Sequence, residues 1–436
     1  MMSSVIWCKS FFKMKVLWFA NTPCGAEEYL TGRKIRSGGW LYALCEQLRL
    51  QPDVELHVAF FWGQALPAFC YNGVMYHPVL RNGAATIWGR YVNRVRGQFS
   101  DADDKRELER CKQIVREVSP DIVHVHGSEE LFGLVANNND VHAPVVLSVQ
   151  GLLSAYKVKY YSGITPSDLQ YGESFLKRLL LDDVNGRYRN FSRRAKREAD
   201  IFKSLRYVIG RTHWDRRCAL ALNPNVRYFT VNEILRPEFM TVSWQRRLDM
   251  QPFVIVSTIS SGVYKGLEVV YHTAKLLTDL NFSFKWKIIG LNSRDELVGI
   301  VEKSSALHAS AIHVELLGSR QADEMIPIMR QSDLYVQVSH IENSPNALCE
   351  AMALGMPIVA SFAGGTSSIL KDGEEGILIQ DGNWYELAGA IMDTNRDYNN
   401  AVAMGEKARK RALARHNPDA VVKELMAVYN TLCSSI

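Results

Sequence analysis

Two glutamates, Glu342 and Glu350, bracket the seven residues Asn343 to Cys349. Within that stretch Ser344-Pro345 reads as a helix cap followed by proline in the first helical position, so a helix is expected to open there. Glu342 then lies just ahead of the helix and Glu350 inside it. From Ser344 to Glu350 the helix rises roughly 9 Å, about the span of a diphosphate with a sugar at one end and a ribose at the other. Free N–H groups and a partial positive charge at a helix amino end favour phosphate oxygens. Ser344, Asn346, Ala347 and Leu348 are therefore candidates to cradle a diphosphate, with Glu342 facing one end of it and Glu350 the other. On spacing alone, two solvated carboxylates on a helix edge explain the pattern equally well.

The elements that must position these residues are legible around them. Leu334 to Val338 is a short apolar run that reads as a buried strand. The helix turns Ala347, Leu348, Ala351, Met352 and Leu354 inward and stops at Gly355, with Pro357 preventing continuation. A second buried strand, Pro357 to Ser361, leads to the glycine pair Gly364-Gly365.

In this order the segment HIENSPNALCEAMALGMPIVASFAGG resembles the donor-binding signature of the retaining glycosyltransferases of family four (glycosyl transferases group 1), which have the GT-B architecture. Glu342, Glu350, Ala351, Met352, Ala353, Gly355, Pro357, Val359, Ala360, Ser361, Gly364 and Gly365 all fall in register with it. Ser368 departs from it, since many relatives carry glutamate after the glycine pair. The resemblance implies that Glu342 holds the donor sugar and Glu350 the ribose hydroxyls.

Composition fits an enzyme of that size. The chain has 436 residues, 47% hydrophobic and 22% charged, with a net charge of +5, which suits two globular domains rather than a disordered chain. Eight scattered cysteines, without a C-x-x-C pair or a Cys/His cluster, argue for reduced thiols in a cytoplasm and against a zinc site. No run is long enough to span a membrane, and no small-residue cleavage site follows the apolar opening, so a secretory signal is not expected. Met14 is an alternative start.

Strands alternate with helices along the chain, predicting an α/β protein with two doubly wound Rossmann-like sheets facing across a cleft. The expected division is 1–236 for an acceptor-side domain, 237–415 for a nucleotide-sugar-binding domain and 416–436 for a helix that crosses back. Lys15 to Ala20 is the first strand, and Gly38-Gly39 follow it at the mouth of a helix, a phosphate-friendly arrangement and one where the family's glycine pair approaches the donor. Asp121 to His126 is a strand that delivers His126 at its carboxyl end. The resemblance assigns it to the donor sugar, whereas a lone histidine is ordinarily a packed side chain. Gln150 stands where relatives often show histidine. Tyr156, Tyr160 and Tyr161 suit an acceptor pocket or core packing about equally.

After the strand Phe253 to Ser257, the loop Ser260 to Gly266 carries Lys265, matching the family's lysine on the diphosphate. The arginine that usually precedes it is missing. Ser260, the helix end or Arg320 are the expected substitutes. Arg320 follows Gly318-Ser319 where relatives enclose the nucleobase. Residues 187–217 are strongly basic, and a solvated helix and an anionic membrane surface weigh evenly there. A phosphate-bearing acceptor is a third explanation, and no nucleic-acid module is recognisable.

The expected activity is thus a retaining, metal-independent hexosyl transfer from a nucleotide diphosphate sugar to a hydroxyl of a glycan or lipid-linked acceptor, in polysaccharide or lipid-linked glycan biosynthesis. Glu342, His126 and Lys265 form the catalytic set, with no further cofactor. The protein is expected in the cytoplasm, or peripheral on the inner membrane face. A noncatalytic sugar-nucleotide binder is the second reading. A dinucleotide oxidoreductase is the third, disfavoured because Cys24-Gly25-Ala26-Glu27 replaces G-x-G-x-x-G after the first strand.

Overall fold

The computed structural model describes residues 13–32, 39–81, 102–137, 141–170, 183–249 and 251–434. Gly38 lies outside them, as does the opening segment. Two sheets organise the chain. The first contains β1 (Met14–Ala20), β2 (Val54–Trp62), β3 (Phe69–Tyr71), β4 (Val74–Leu80), β5 (Ile122–His126), β6 (Val145–Ser148), β7 (Tyr207–Gly210) and β8 (Arg227–Thr230), in the order β3-β4-β2-β1-β5-β6-β7-β8. All pairs in it are parallel except the β3–β4 hairpin. That hairpin turns on Asn72-Gly73, both with positive φ, as the tightest two-residue turns require.

The second sheet contains β9 (Phe253–Thr258), β10 (Phe284–Ile289), β11 (Val314–Gly318), β12 (Leu334–Gln337), β13 (Ile358–Phe362) and β14 (Ile377–Gln380), ordered β11-β10-β9-β12-β13-β14 and parallel throughout. Both sheets reverse direction beside their first strand. The crevice for a ligand in such a sheet lies beyond the carboxyl ends of the strands flanking that reversal. In the first sheet those strands are β1 and β5; in the second, β9 and β12.

The strands are apolar almost end to end because helices cover both faces. Val16 to Ala20 of β1 are fully buried. One face of the first sheet packs on the helices Gly39–Leu48 and Pro418–Cys433, the other on Val184–Ser204 and the segment Leu131–Asn137. The last helix begins where Asn417 caps the N–H of Ala420 and Pro418 takes the first position. Its Val421, Leu425, Tyr429 and Leu432 enter the core of the first sheet. There Tyr429 Oη accepts from Trp18 Nε1 at 3.0 Å and bonds His124 Nδ1 at 2.7 Å.

Candidate active site

Two loops of the second sheet meet at its crevice. The turn Val263–Lys265 follows β9, and the loop 338–345 follows β12. They are pressed together at Gly266, whose φ is +79°. A Cβ there would lie 2.2 Å from the Val338 carbonyl oxygen, so the residue after Lys265 has to be glycine. Lys265 Nζ thereby reaches Glu342 Oε1 at 2.5 Å, and Ser339 Oγ donates to the same oxygen at 2.8 Å. Burial alone would pull the Lys265 ammonium down, but the Glu342 carboxylate outweighs it and holds the lysine above its ordinary range. The glycine pair completes the fit. Gly365 donates its N–H to the Glu342 carbonyl at 2.8 Å, and a Cβ on Gly364 would lie 2.0 Å from that same oxygen.

The helix after this loop spans Asn346–Leu354, with Pro345 in the capping position and no side chain capping its amino end. The expected cap, Ser344, is displaced by one residue, because its hydroxyl donates to the carboxylate of buried Glu233. The first N–H groups of a helix have no partner within it, which leaves those of Asn346, Ala347 and Leu348 available. The Asn346 Oδ1 atom is buried and unpartnered as well. One turn further on, Glu350 is 4% exposed, and both its oxygens are held at 2.7 Å by Arg236. Burial lifts the Glu350 carboxyl above its usual range and the guanidinium opposes that rise.

A cavity of about 280 Å³ opens here between the two sheets, lined by Gly39, Trp40, Arg236, Thr258, Asn346 and Glu350 among others. Gly39 begins the helix on the first-sheet side. Trp40 stacks on the Arg211 guanidinium at 4.1 Å. His126 sits behind Trp40, fully buried among Trp18 at 4.3 Å, His124 at 3.9 Å and Trp40 at 6.0 Å, with neither ring nitrogen partnered. Burial, with His124 and Arg211 adding to it, drives its pKa well below the ordinary value, so the ring is neutral.

Ser260 is an exposed loop residue. Arg320 lies on the surface, paired at 3.1 Å with Glu324, and is absent from the lining of this cavity. Sequence reasoning missed Arg236 altogether, because its partner lies 114 residues away. It also missed Glu129, which sits beside Gly127 at the end of β5 and accepts the Gly151 N–H at 3.2 Å. Burial pushes the Glu129 carboxyl up to about 7.

The crevice is bridged by side chains from both sheets. Asn343 accepts from Thr212 Oγ1 at 2.9 Å and donates to the Gln150 carbonyl at 3.1 Å, while Lys159 pairs with Asp381 and Arg187 with Glu296 at 3.0 Å each. Tyr160, Phe191, Arg187 and Tyr264 line a second interlobe cavity of about 460 Å³. Tyr160 packs among Tyr161, Tyr188 and Phe191, and the buried Tyr156 meets Tyr264 edge-on at 5.4 Å.

Much of the basic segment is engaged internally. Besides Arg187, Arg194 and Arg197 donate to the Glu129 carbonyl, Arg197 also binds Asp104, and Lys203 binds Asp200. Arg189 and Lys196 are exposed on the helix Val184–Ser204.

Glu233, Cys349 and His416, scattered in sequence, bring their ligand atoms within 4.8 Å of one another. That spacing suits a cation. The carboxylate, however, already accepts from Ser344 and faces Arg211 Nε at 3.4 Å, so the protein's own cation occupies its field. Burial alone would raise the Glu233 carboxyl, but Arg211, His416 and Arg415 together hold it down at about 2.

Residues 241–411 match the family model described as glycosyl transferases group 1. Among curated proteins, the capsular polysaccharide biosynthesis glycosyltransferase CapM of Staphylococcus aureus is 23% identical over 167 residues, 38% of this chain and 43% of that protein. The chain spans less than half the length of the curated relatives it matches. Among solved structures, sucrose-phosphate synthase from Thermosynechococcus elongatus superposes with a TM-score of 0.70 at 14% identity, covering 97% of this chain and 100% of that one. HepE of Anabaena, solved with UDP and glucose, gives 0.62 at 15% identity, covering 96% and 100%. These likenesses show the fold, which is GT-B. No helix among the described residues is long and apolar enough to cross a membrane.

Proposed function

We propose, taking the glycosyl transferases group 1 match of residues 241–411 as the premise, that this chain is a retaining glycosyltransferase. It moves a sugar from a nucleotide diphosphate donor to a hydroxyl of a glycan or lipid-linked acceptor in polysaccharide or lipid-linked glycan assembly. One observation carries this reading. The Lys265–Glu342 pair sits in the loops at the mouth of the second sheet, just ahead of the uncapped amino end of the Asn346–Leu354 helix, and Asn346, Ala347 and Glu350 of that helix line the cavity shared with Gly39 and Trp40. HepE was solved with UDP and glucose, and a UDP-sugar is the first donor to try.

The chemistry follows from charge. A nucleoside diphosphate is a good leaving group, so the protein needs positive potential where negative charge develops rather than a strong acid. Lys265 and the N–H groups of Asn346, Ala347 and Leu348 supply it in this reading, and no metal ion is needed. Glu342 holds the sugar hydroxyls and Glu350 the ribose. The acceptor oxygen attacks from the leaving-group side, which retains configuration without a protein nucleophile. His126 acts through Trp40, which stands between it and the cavity. In this reading the reaction runs in the cytoplasm, and Arg189 and Lys196 are among the exposed charges of the basic segment that would meet an anionic inner membrane face.

The test is a thermal-shift screen of UDP-, dTDP-, GDP- and ADP-sugars followed by turnover of the donors that bind. One class of donor is expected to raise the melting temperature and to release its diphosphate, with Glu342→Gln keeping the shift and losing turnover. Binding with no turnover against a panel of glycan and lipid acceptors would leave a noncatalytic binder, and no shift at all would overturn the reading.

A further inference from the structure

The cleft carboxylate assigned to the ribose is not waiting for it. Both oxygens of Glu350 are engaged by Arg236 at 2.7 Å. Arg236 comes from neither sheet but from the crossing between β8 and β9, where Pro237 follows it at the start of a short helix. Its guanidinium lies over the Phe239 ring at 4.6 Å and touches Met325 Sδ at 3.6 Å. It also lines the 280 Å³ cavity together with Asn346. The free N–H groups of the helix start four residues before Glu350, one helical turn or about 6 Å away. The buried, unpartnered Asn346 Oδ1 at the same place is an acceptor, so it calls for a donor such as a guanidinium or a ribose hydroxyl, not for a phosphate oxygen. Meanwhile Ile259 and Ser260 supply no charge near Lys265, and Arg320 is spent on Glu324 at the surface.

We propose that Arg236 is a diphosphate-binding residue that trades partners: it neutralises Glu350 while the cleft is empty and turns one helical step to the donor phosphates when a nucleotide enters, releasing Glu350 to the ribose. The exchange is chemically even, because a guanidinium fork fits a phosphate as it fits a carboxylate. It also explains how an acidic side chain this deep in the cleft stays compensated before the donor arrives. This inference rests on the reading above that the cleft takes a nucleotide diphosphate.

Titration calorimetry with UDP, and competition by uridine, separate the two roles of Arg236, with GDP and guanosine used if the wild-type chain prefers them. Arg236→Gln is expected to weaken UDP binding by about tenfold to a hundredfold, the loss of a charged hydrogen bond or two. Uridine binding is expected to stay level or tighten, because Glu350 has been freed. Arg236→Lys keeps a charge without the fork and should fall between wild type and Arg236→Gln for UDP. Far-ultraviolet circular dichroism and melting of each variant establish folding. Equal losses for UDP and uridine in a folded variant, or UDP affinity unchanged, would overturn the exchange. Failure of every nucleoside diphosphate to bind the wild-type chain would instead overturn the reading on which it rests.

Discussion

Lys265 Nζ lies 2.5 Å from Glu342 Oε1, joining the turn after β9 to the loop after β12 across 77 residues of sequence. The two residues given separate duties, one on the phosphates and one on the sugar, are therefore each other's partner. Removing the cation strands a carboxylate whose side chain is 10% exposed. Lys265→Met should lose about 10²-fold or more in donor turnover, the scale of one preorganised charge, and about 1–3 kcal/mol of stability. Glu342→Gln keeps the shape and should lose turnover with a smaller drop in melting temperature. Turnover within twofold of wild type in a folded Lys265→Met variant would remove the lysine from the mechanism.

The glycine pair makes a sharper steric prediction. A Cβ on Gly365 would lie 2.1 Å from the Asn343 carbonyl oxygen and 2.7 Å from Thr212 Cγ2, so it meets backbone on one side and the other lobe on the other. Gly365→Ala should cost about 1–3 kcal/mol, as overpacking does, and disturb Glu342 through the loop it shares with Asn343. Thermal unfolding checks the first part and turnover the second. A melting temperature equal to wild type would mean that this approach is not tight.

Two buried carboxyls give opposite pH dependences. Glu129, pushed up to about 7 from 4.5 by burial, keeps its proton in the folded chain where the unfolded chain has lost it. Its contribution is present below about 4.5 and is lost as pH rises towards 7. Glu233, held at about 2, contributes stability above 4.5 that is lost as pH falls towards 2. Glu129→Gln should therefore gain on wild type in melting temperature as pH rises from 5 to 7.5. Glu233→Gln should be less stable than wild type at pH 7, by a margin that shrinks in acid. Parallel pH–melting curves for wild type and variant would contradict both.

Besides its apolar packing, the last helix is tied to β1 and β5 by one phenol. Tyr429 Oη serves Trp18 Nε1 and His124 Nδ1, all fully buried or nearly so. Tyr429→Phe leaves both nitrogens without that partner at no loss of ring packing and should cost about 1–3 kcal/mol. Chemical denaturation measures it. A variant as stable as wild type would show the hydroxyl to be idle.

What was legible in the sequence was what local patterning enforces. The strand, helix, strand and glycine turn from β12 to β13 are set by apolar runs and by Gly355 and Gly364, and they appear where the residue types require. Ser344 does not cap the helix because a serine before proline caps only if its hydroxyl is free, and Glu233, 111 residues away, takes it. The Asn72-Gly73 pair is the local signal for the turn that joins β3 to β4. β14 is only four residues long and carried no strong period. The partnership of Arg236 with Glu350 had no local signal, since it is made by the chain crossing between sheets. His126 was placed correctly at the end of β5, but its burial behind Trp40 depends on a helix 86 positions earlier, which no pattern around the histidine discloses.

The most direct measurement is a crystal structure of this chain with UDP, or with whichever nucleoside diphosphate binds best. The expected result is a diphosphate with oxygens about 3 Å from the N–H groups of Ala347 and Leu348, the ribose on Glu350 and Lys265 turned towards the phosphates. A nucleotide bound away from the amino end of the Asn346–Leu354 helix, with Glu350 still clasped by Arg236, would contradict it.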